Sequence, residues 1–350
     1  MVEVTLFVKK DAKGDKKMKK IAINGLGRIG RLVLRHYIDS EKDKVEVVGA
    51  NDLVPPEDLA YLIKYDSVHG TATFPVTFGD DFVQLGDNKI RIFSEKDPSH
   101  LPWEQLDVDV VIECTGRFTK RELAAKHLEA GAKRVIISAP SKDADFMVVL
   151  GVNHEDFDPE KHLVISNASC TTNSLAPPLK VLSDNFGVEK ALVTTIHAYT
   201  ATQGLVDRPA KKRIRGRAAA VSLIPTTTGS DIATTRVLPE LEGRLRAMAV
   251  RVPIPDGALT DISAVLRKEV SETEVNNALR TASRGPMKGI LGYTEEEVVS
   301  IDIINDTRSG IVHGLSTRVI QGDMVKLQVW YDNEYGYSKR LLDLVETLSM

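Results

Sequence analysis

The stretch KIAINGLGRIGRLVLRHY, residues 20–37, decides the fold. Residues 20–24 read as a buried strand. Gly25, Gly27 and Gly30 make a GxGxxG turn, and Leu32, Val33, Leu34 and Tyr37 continue as a helical apolar stripe. Strand, turn and helix in that order aim free backbone N–H groups and the positive end of a helix at one place. Glycine lets the backbone approach a pyrophosphate closely there. A second strand, residues 45–50, ends at Asn51 and Asp52, roughly 20 residues beyond the turn, where a carboxylate takes hydrogen bonds from both ribose hydroxyls. Such a carboxylate repels a 2′-phosphate, so NAD rather than NADP is the expected cofactor.

Working outward, strands are expected at residues 76–78, 82–85, 90–93, 108–112 and 135–138. A helix is expected over 121–130, closed by Gly131. Thr115-Gly116 and Ser138-Ala139-Pro140 then stand at strand ends along the crevice where open parallel sheets bind ligands. Cys114, just before them, reads as packing rather than chemistry. Beyond residue 168 the strands lengthen, at 191–197, 248–252, 261–266 and 325–331, and a last helix begins at Glu334 with Leu341, Leu342, Leu344 and Val345 as its apolar stripe.

Composition narrows the class. The 350 residues suit about two domains, and 46 Lys plus Arg against 49 Asp plus Glu leave a charge of −3, far from the surplus of a nucleic-acid binder. No apolar run approaches the 18 or so residues of a membrane helix. The two cysteines and eight histidines show no zinc-type spacing, so no metal site is expected, and the scarcity of cysteine suits a reducing, cytoplasmic setting. The Lys-rich opening lacks the apolar core of a signal peptide and reads as a mobile arm. Met18 begins an ordinary first strand, so residues 1–17 are expected to lie outside the fold.

The segment SNASCTTN, residues 166–173, follows a strand end and opens a helix, which places Cys170 at a helix N-terminus. Free N–H groups and the helix dipole favour thiolate there, and a nearby histidine lowers the thiol pKa further. A reactive nucleophile is the reading.

With that segment in view, the chain resembles the phosphorylating glyceraldehyde-3-phosphate dehydrogenase family. ASCTTN (168–173) is similar to the family's nucleophile block and TTIHAYTATQ (194–203) to the segment of its general base. NGLGRIGR, YDSVHG, ECTGRF, ISAPS, GVNH, IPTTTG, VLPEL, RVP and WYDNEYGYS extend the likeness from about residue 19 to the C-terminus. The resemblance implies Cys170 as nucleophile and His197 as base. Thiohemiacetal and thioester would form on Cys170, with hydride passing to NAD and phosphate taking the acyl group. It implies cofactor contacts from Gly25, Gly27, Arg28, Ile29, Gly30, Asp52, Lys96, Thr115, Gly116, Ser138 and Asn333, the last orienting the carboxamide. Thr200, Arg215 and Arg251 match substrate-phosphate positions; Ser169, Thr171, Thr228 and Gly229 match inorganic-phosphate positions. The implied fold is α/β: a doubly wound Rossmann cofactor domain (19–168) and an α+β catalytic domain (169–333) with a mostly antiparallel sheet. Residues 1–18 would be a flexible extension, and a C-terminal helix (334–350) would pack back on the cofactor domain. The partners implied are a triose phosphate, inorganic phosphate and three further copies in a homotetramer. The basic run 208–217 then reads as a loop lining a neighbouring subunit's cofactor site, not as a nucleic-acid patch. Glycolysis, gluconeogenesis and carbon fixation stay open. Erythrose-4-phosphate dehydrogenase and a non-enzymatic nucleotide binder on the same fold are the alternatives.

The chain departs from the family pattern at four places. Ser174 replaces a common second cysteine, so no disulfide can quench Cys170 there. Ile232, after Ser230 and Asp231, stands where a lysine is usual, which predicts weaker use of inorganic phosphate. Arg208 replaces a small or apolar residue beside the adenosine ribose, which adds partial NADP tolerance as a hypothesis. His313 replaces an acid, with no functional account.

Overall fold

A computed structural model describes residues 18–39 and 44–348; the expected N-terminal arm falls outside them, apart from Met18. Ile21, Ala22 and Ile23 are wholly buried, as a strand covered on both faces requires. Their strand, Lys19–Asn24, pairs in parallel with Val45–Asn51 on one side and Val110–Glu113 on the other. Beyond Val110–Glu113 lie Arg134–Ile137, Val164–Ser166 and Phe146–Met147, all parallel. Beyond Val45–Asn51 comes Asn88–Phe93, also parallel, then the antiparallel Phe82–Leu85 and Val76–Phe78. The chain thus leaves its first strand in one direction and returns on the other side, which creates a switch-point crevice at the strand C-termini.

One face of this sheet is covered by the helix Arg28–Asp39, on which the last helix, Tyr335–Thr347, packs. Leu341, Leu342, Leu344 and Val345 are fully buried in the core shared by both helices. Each contributes about 1.5–3 kcal/mol of apolar burial. The expected helix 121–130 is instead two short turns, Arg121–Ala124 and Lys126–Glu129. Ala125 between them stays right-handed (φ −61°, ψ −17°), but its carbonyl accepts from Leu128 N as well as Glu129 N, which tightens the turn. Gly131 closes the segment at φ +98°.

The second sheet runs Ile224–Thr227, Leu245–Val252, Val188–Ala198, Ala258–Leu266, Met324–Tyr331, Gly310–His313, Leu291–Thr294, with Arg318–Ile320 beside Met324–Tyr331. Only two of these pairings are parallel, Val188–Ala198 with Leu245–Val252 and Leu291–Thr294 with Gly310–His313. Helices Cys170–Phe186, Ser230–Val237 and Glu272–Arg284 border its core. Leu192 and Met248 remain 69% and 49% exposed.

Candidate functional site

The crevice of the first sheet is shaped by its glycines. Gly25 has φ +93°, and a Cβ on it would stand 2.8 Å from the backbone nitrogen of Thr115; a Cβ on Gly30 would stand 2.0 Å from the carbonyl oxygen of Gly25. A Cβ on Gly27 meets nothing within 4 Å: this is the point where the turn opens into a cleft of about 620 Å³. Asp52, Lys96 and Thr115 line that cleft. Asp52 is fixed because Oδ2 accepts from Leu26 N at 2.6 Å and Oδ1 from Val54 N at 3.0 Å. Thr115 is held through its N–H and hydroxyl by the buried carboxylate of Glu113, and Gly116 follows at φ +68°. Ser138 hydrogen-bonds the Cys114 thiol, which burial pushes up to about 12, so that thiol stays protonated and packs. Ile29 packs on the core. The Arg28 guanidinium is engaged by Asp66 and Glu334, each at 2.5 Å, and so is turned to these carboxylates rather than lining the cleft.

Cys170 is the first residue of its helix. Ser169 caps that helix, its hydroxyl accepting from Thr172 N at 3.1 Å. The turn before it is strained, with Ala168 at φ +53°. Asn173 holds it by donating to the carbonyls of Asn167 (2.9 Å) and Ser169 (3.0 Å), and Tyr337 by donating to Ala168 O (3.1 Å). The Cys170 sulfur lies 3.4 Å from His197 Nε2. His197 Nδ1 lies 2.7 Å from Ala198 O, a carbonyl that also accepts from Arg251 Nη1 at 2.8 Å. Nδ1 also lies 2.7 Å from Arg251 Nη1, which can only donate; Nε2 presents its lone pair to the thiol in the tautomer whose Nδ1–H goes to Ala198 O, with the guanidinium turned to that same carbonyl.

The electrostatics correct one expectation. Burial pushes the Cys170 thiol up, against the pull of Arg251 and of Thr171. Burial, and then Arg251, push His197 down to about 3. The imidazole is therefore neutral at physiological pH, and it assists the thiol by accepting its proton rather than as a standing cation.

Around this pair the second sheet gathers polar groups. Arg251 lies in register with His197 on the neighbouring parallel strand and with Ile224 on the next. Arg215 donates to Thr226 Oγ1 and to Thr227 O, both at 2.9 Å. Thr228 Oγ1 accepts from Ser230 N at 3.2 Å, and nothing lies within 4 Å of a Cβ placed on Gly229. Thr200 bonds Thr202 between hydroxyls at 2.9 Å, and Thr171 bonds the buried Tyr331 hydroxyl at 3.1 Å.

Two family profiles match the chain: "Glyceraldehyde 3-phosphate dehydrogenase, NAD binding domain" over residues 19–121, and the corresponding "C-terminal domain" over residues 169–333. The glyceraldehyde-3-phosphate dehydrogenase of Geobacillus stearothermophilus is 52% identical over 325 residues, covering 93% of this chain and 96% of that protein. Glyceraldehyde-3-phosphate dehydrogenase 1 of Bacillus cereus is 51% identical over 327 residues, covering 93% and 97%. Its namesake in Nostoc sp. PCC 7120 is 51% identical over 329 residues, covering 93% and 95%. The chain belongs to the glyceraldehyde-3-phosphate dehydrogenase family.

The geometry suits the dinucleotide of that family. Gly27 leaves its cradle open, and Asn333, buried, keeps an Oδ1 with no protein partner, an acceptor for a carboxamide N–H. Sequence reading missed one group. His69, Asp256, Asp332 and Glu334 converge beside Asn333, with side-chain nitrogen and oxygen atoms of His69, Asp256 and Glu334 within 4.8 Å of one another. Residues so far apart in the chain leave no spacing signal for such a cluster.

Proposed function

We infer that this member of the glyceraldehyde-3-phosphate dehydrogenase family oxidises glyceraldehyde 3-phosphate to 1,3-bisphosphoglycerate with NAD as hydride acceptor. The observation that carries this is His197 Nε2 at 3.4 Å from the Cys170 sulfur, at a helix start with Arg251 alongside. Nε2 takes the thiol proton as sulfur attacks the aldehyde carbon, and returns it to the oxygen of the thiohemiacetal. It takes the hydroxyl proton again as hydride departs, leaving a thioester on Cys170. Phosphate oxygen then attacks the thioester carbonyl, and the acyl phosphate leaves as the C–S bond breaks. NAD, when bound, supplies the hydride acceptor.

Thr200, Arg215 and Arg251 serve the substrate phosphate; Ser169, Thr171, Thr228 and Gly229 serve the attacking phosphate. Asp52, Lys96, Thr115, Gly116, Ser138 and the turn from Gly25 to Gly30 hold the dinucleotide, with Asn333 at its carboxamide. The exposed Leu192 and Met248 support a homotetramer whose subunits cover that face. Free Cys114 and Cys170 suit a cytoplasmic enzyme, and among the described residues no helix is long and apolar enough to cross a membrane. Arg208, whose Nη2 donates to Thr202 O at 3.1 Å, is the residue on which NADP tolerance rests.

The test is initial-rate reduction of NAD and NADP with glyceraldehyde 3-phosphate, with and without phosphate, beside erythrose 4-phosphate. Phosphate-dependent turnover of the triose that vanishes in Cys170→Ser is expected. Preference for erythrose 4-phosphate, or turnover indifferent to phosphate, overturns the substrate or the acyl acceptor.

A further inference from the structure

The cluster beside Asn333 joins three segments. His69, with no exposed side-chain surface, stands 3.2 Å from Glu334 Oε2 through Nε2 and 2.8 Å from Asn305 Oδ1 through Nδ1. Asp256 Oδ2 is 3.6 Å from Nε2 and Asp332 Oδ2 is 3.9 Å from Nδ1. The Arg28 guanidinium closes a ring, pairing with Glu334 and with Asp66, whose Oδ1 accepts from His69 N at 3.0 Å. Both nitrogens of His69 thus face acceptors, which is the surrounding of an imidazolium. Burial works to lower its pKa, but Glu334, Asp332 and Asn305 outweigh it and raise it. Burial likewise works to raise Glu334, and His69 and Arg28 outweigh it. Burial and Asp332 push Asp256 far above the carboxyl range, so it lends His69 little negative charge.

The ring reaches both ends of the dinucleotide site. Arg28 opens the helix after the glycine turn, and Asp332 and Glu334 flank Asn333 in the chain. Asp332 Oδ1 accepts from Glu334 N and Tyr335 N at 2.9 and 2.5 Å, and its Oδ2 from Asn305 N at 2.8 Å. Asn333 is therefore held by its two neighbours, and those neighbours by His69 and Arg28.

We propose that His69, held between Glu334, Asp256 and Asn305, is a positioning residue that couples the glycine turn to Asn333 and so sets the affinity for the nicotinamide half of NAD. This rests on the reading of Asn333 as the residue that meets the carboxamide. The charged and titratable groups around His69 are Arg28 and Asp66 from the first sheet's side and Asp256, Asp332 and Glu334 from the other, with the Tyr335 ring at 5.4 Å.

The experiment measures the NAD dissociation constant of wild type, His69→Gln, Glu334→Gln and the double variant from pH 6 to 10, with thermal unfolding alongside. Wild type is expected to lose affinity as pH rises through the His69 titration. His69→Gln should bind on the order of tenfold more weakly at pH 7, without that step. The double variant should be no weaker than the weaker single one, because both remove the same link. Glu334→Gln keeps the test open should the His69 variant not fold. Variants that lose stability yet keep the wild-type pH step overturn the proposal, as does affinity that vanishes with a chelator and returns with a divalent cation. A wild type that binds no NAD at all overturns the cofactor reading instead.

Discussion

The sulfur of Cys170 and Nε2 of His197 lie 3.4 Å apart, although 27 residues separate them in the chain. One opens the helix Cys170–Phe186; the other lies near the end of the strand Val188–Ala198, which this helix packs against. Helix, the turn at Gly187 and strand form a hairpin that returns the chain to its starting level. The distance is therefore set by two rigid elements rather than by a loop.

Replacing His197 removes the proton acceptor and leaves the thiol in place. His197→Gln should lower kcat roughly 10²–10⁴-fold. The Michaelis constant for the triose should change far less, because Arg215, Thr200 and Arg251 remain. Rapid-mixing kinetics of cofactor reduction check this; a kcat within a few-fold of wild type removes His197 as the base.

Two histidines are held neutral by burial, His197 to about 3 and His36 to about 4. An unfolded histidine titrates near 6.5. Below that pH the unfolded chain binds more protons than the folded one, so stability is full above about 6.5 and falls as the pH drops towards 4. The loss at His36 is on the order of a few kcal/mol. Urea unfolding at pH 7, 6, 5 and 4 measures it, and His36→Gln should flatten the acid limb. An equal slope in the variant assigns the loss elsewhere.

Much of this molecule is legible in its sequence where one segment carries its own signal. The glycine turn, the strands at 76–78, 82–85 and 164–166, and the last helix follow from local period and punctuation. The helices Pro56–Lys64 and Glu272–Arg284 carry local start signals of the same kind, Pro55-Pro56 before one and the capping box of Ser271 and Glu274 before the other. The ring of His69, Asp256, Asp332 and Glu334 left no trace because its members meet only after the two sheets are assembled. The neutral state of His197 was equally hidden, since it depends on burial and on Arg251 from a neighbouring strand.

The three glycines of the turn should separate fold from binding. Gly25→Ala forces a side chain into φ +93° and against Thr115, and Gly30→Ala collides with the Gly25 carbonyl. Each should cost more than about 1 kcal/mol of stability. Gly27→Ala meets nothing, so its melting temperature should stay near wild type while NAD affinity falls. Thermal unfolding with and without NAD makes the comparison. A Gly27→Ala protein that binds NAD normally would place the pyrophosphate elsewhere.

Ile232 tests the attacking-phosphate site. It is 56% exposed in the first turn of Ser230–Val237, just after Thr228 and Gly229, and Asp231 beside it adds a negative charge. A cation in the place of Ile232 would favour an anion at Gly229 and reinforce the positive end of that helix over the first turn. An exposed ion pair of this kind is worth about 0.2–1 kcal/mol, so Ile232→Lys should lower the phosphate Michaelis constant roughly two- to fivefold. The constant for the triose should move far less, because its phosphate is assigned to Arg215 and Arg251 rather than to the start of this helix. Steady-state rates with phosphate varied at saturating triose and NAD give the answer. If both constants fall together, the lysine is raising the general field of the pocket and Thr228 and Gly229 are not a separate phosphate site; if neither changes, the attacking phosphate binds away from this helix.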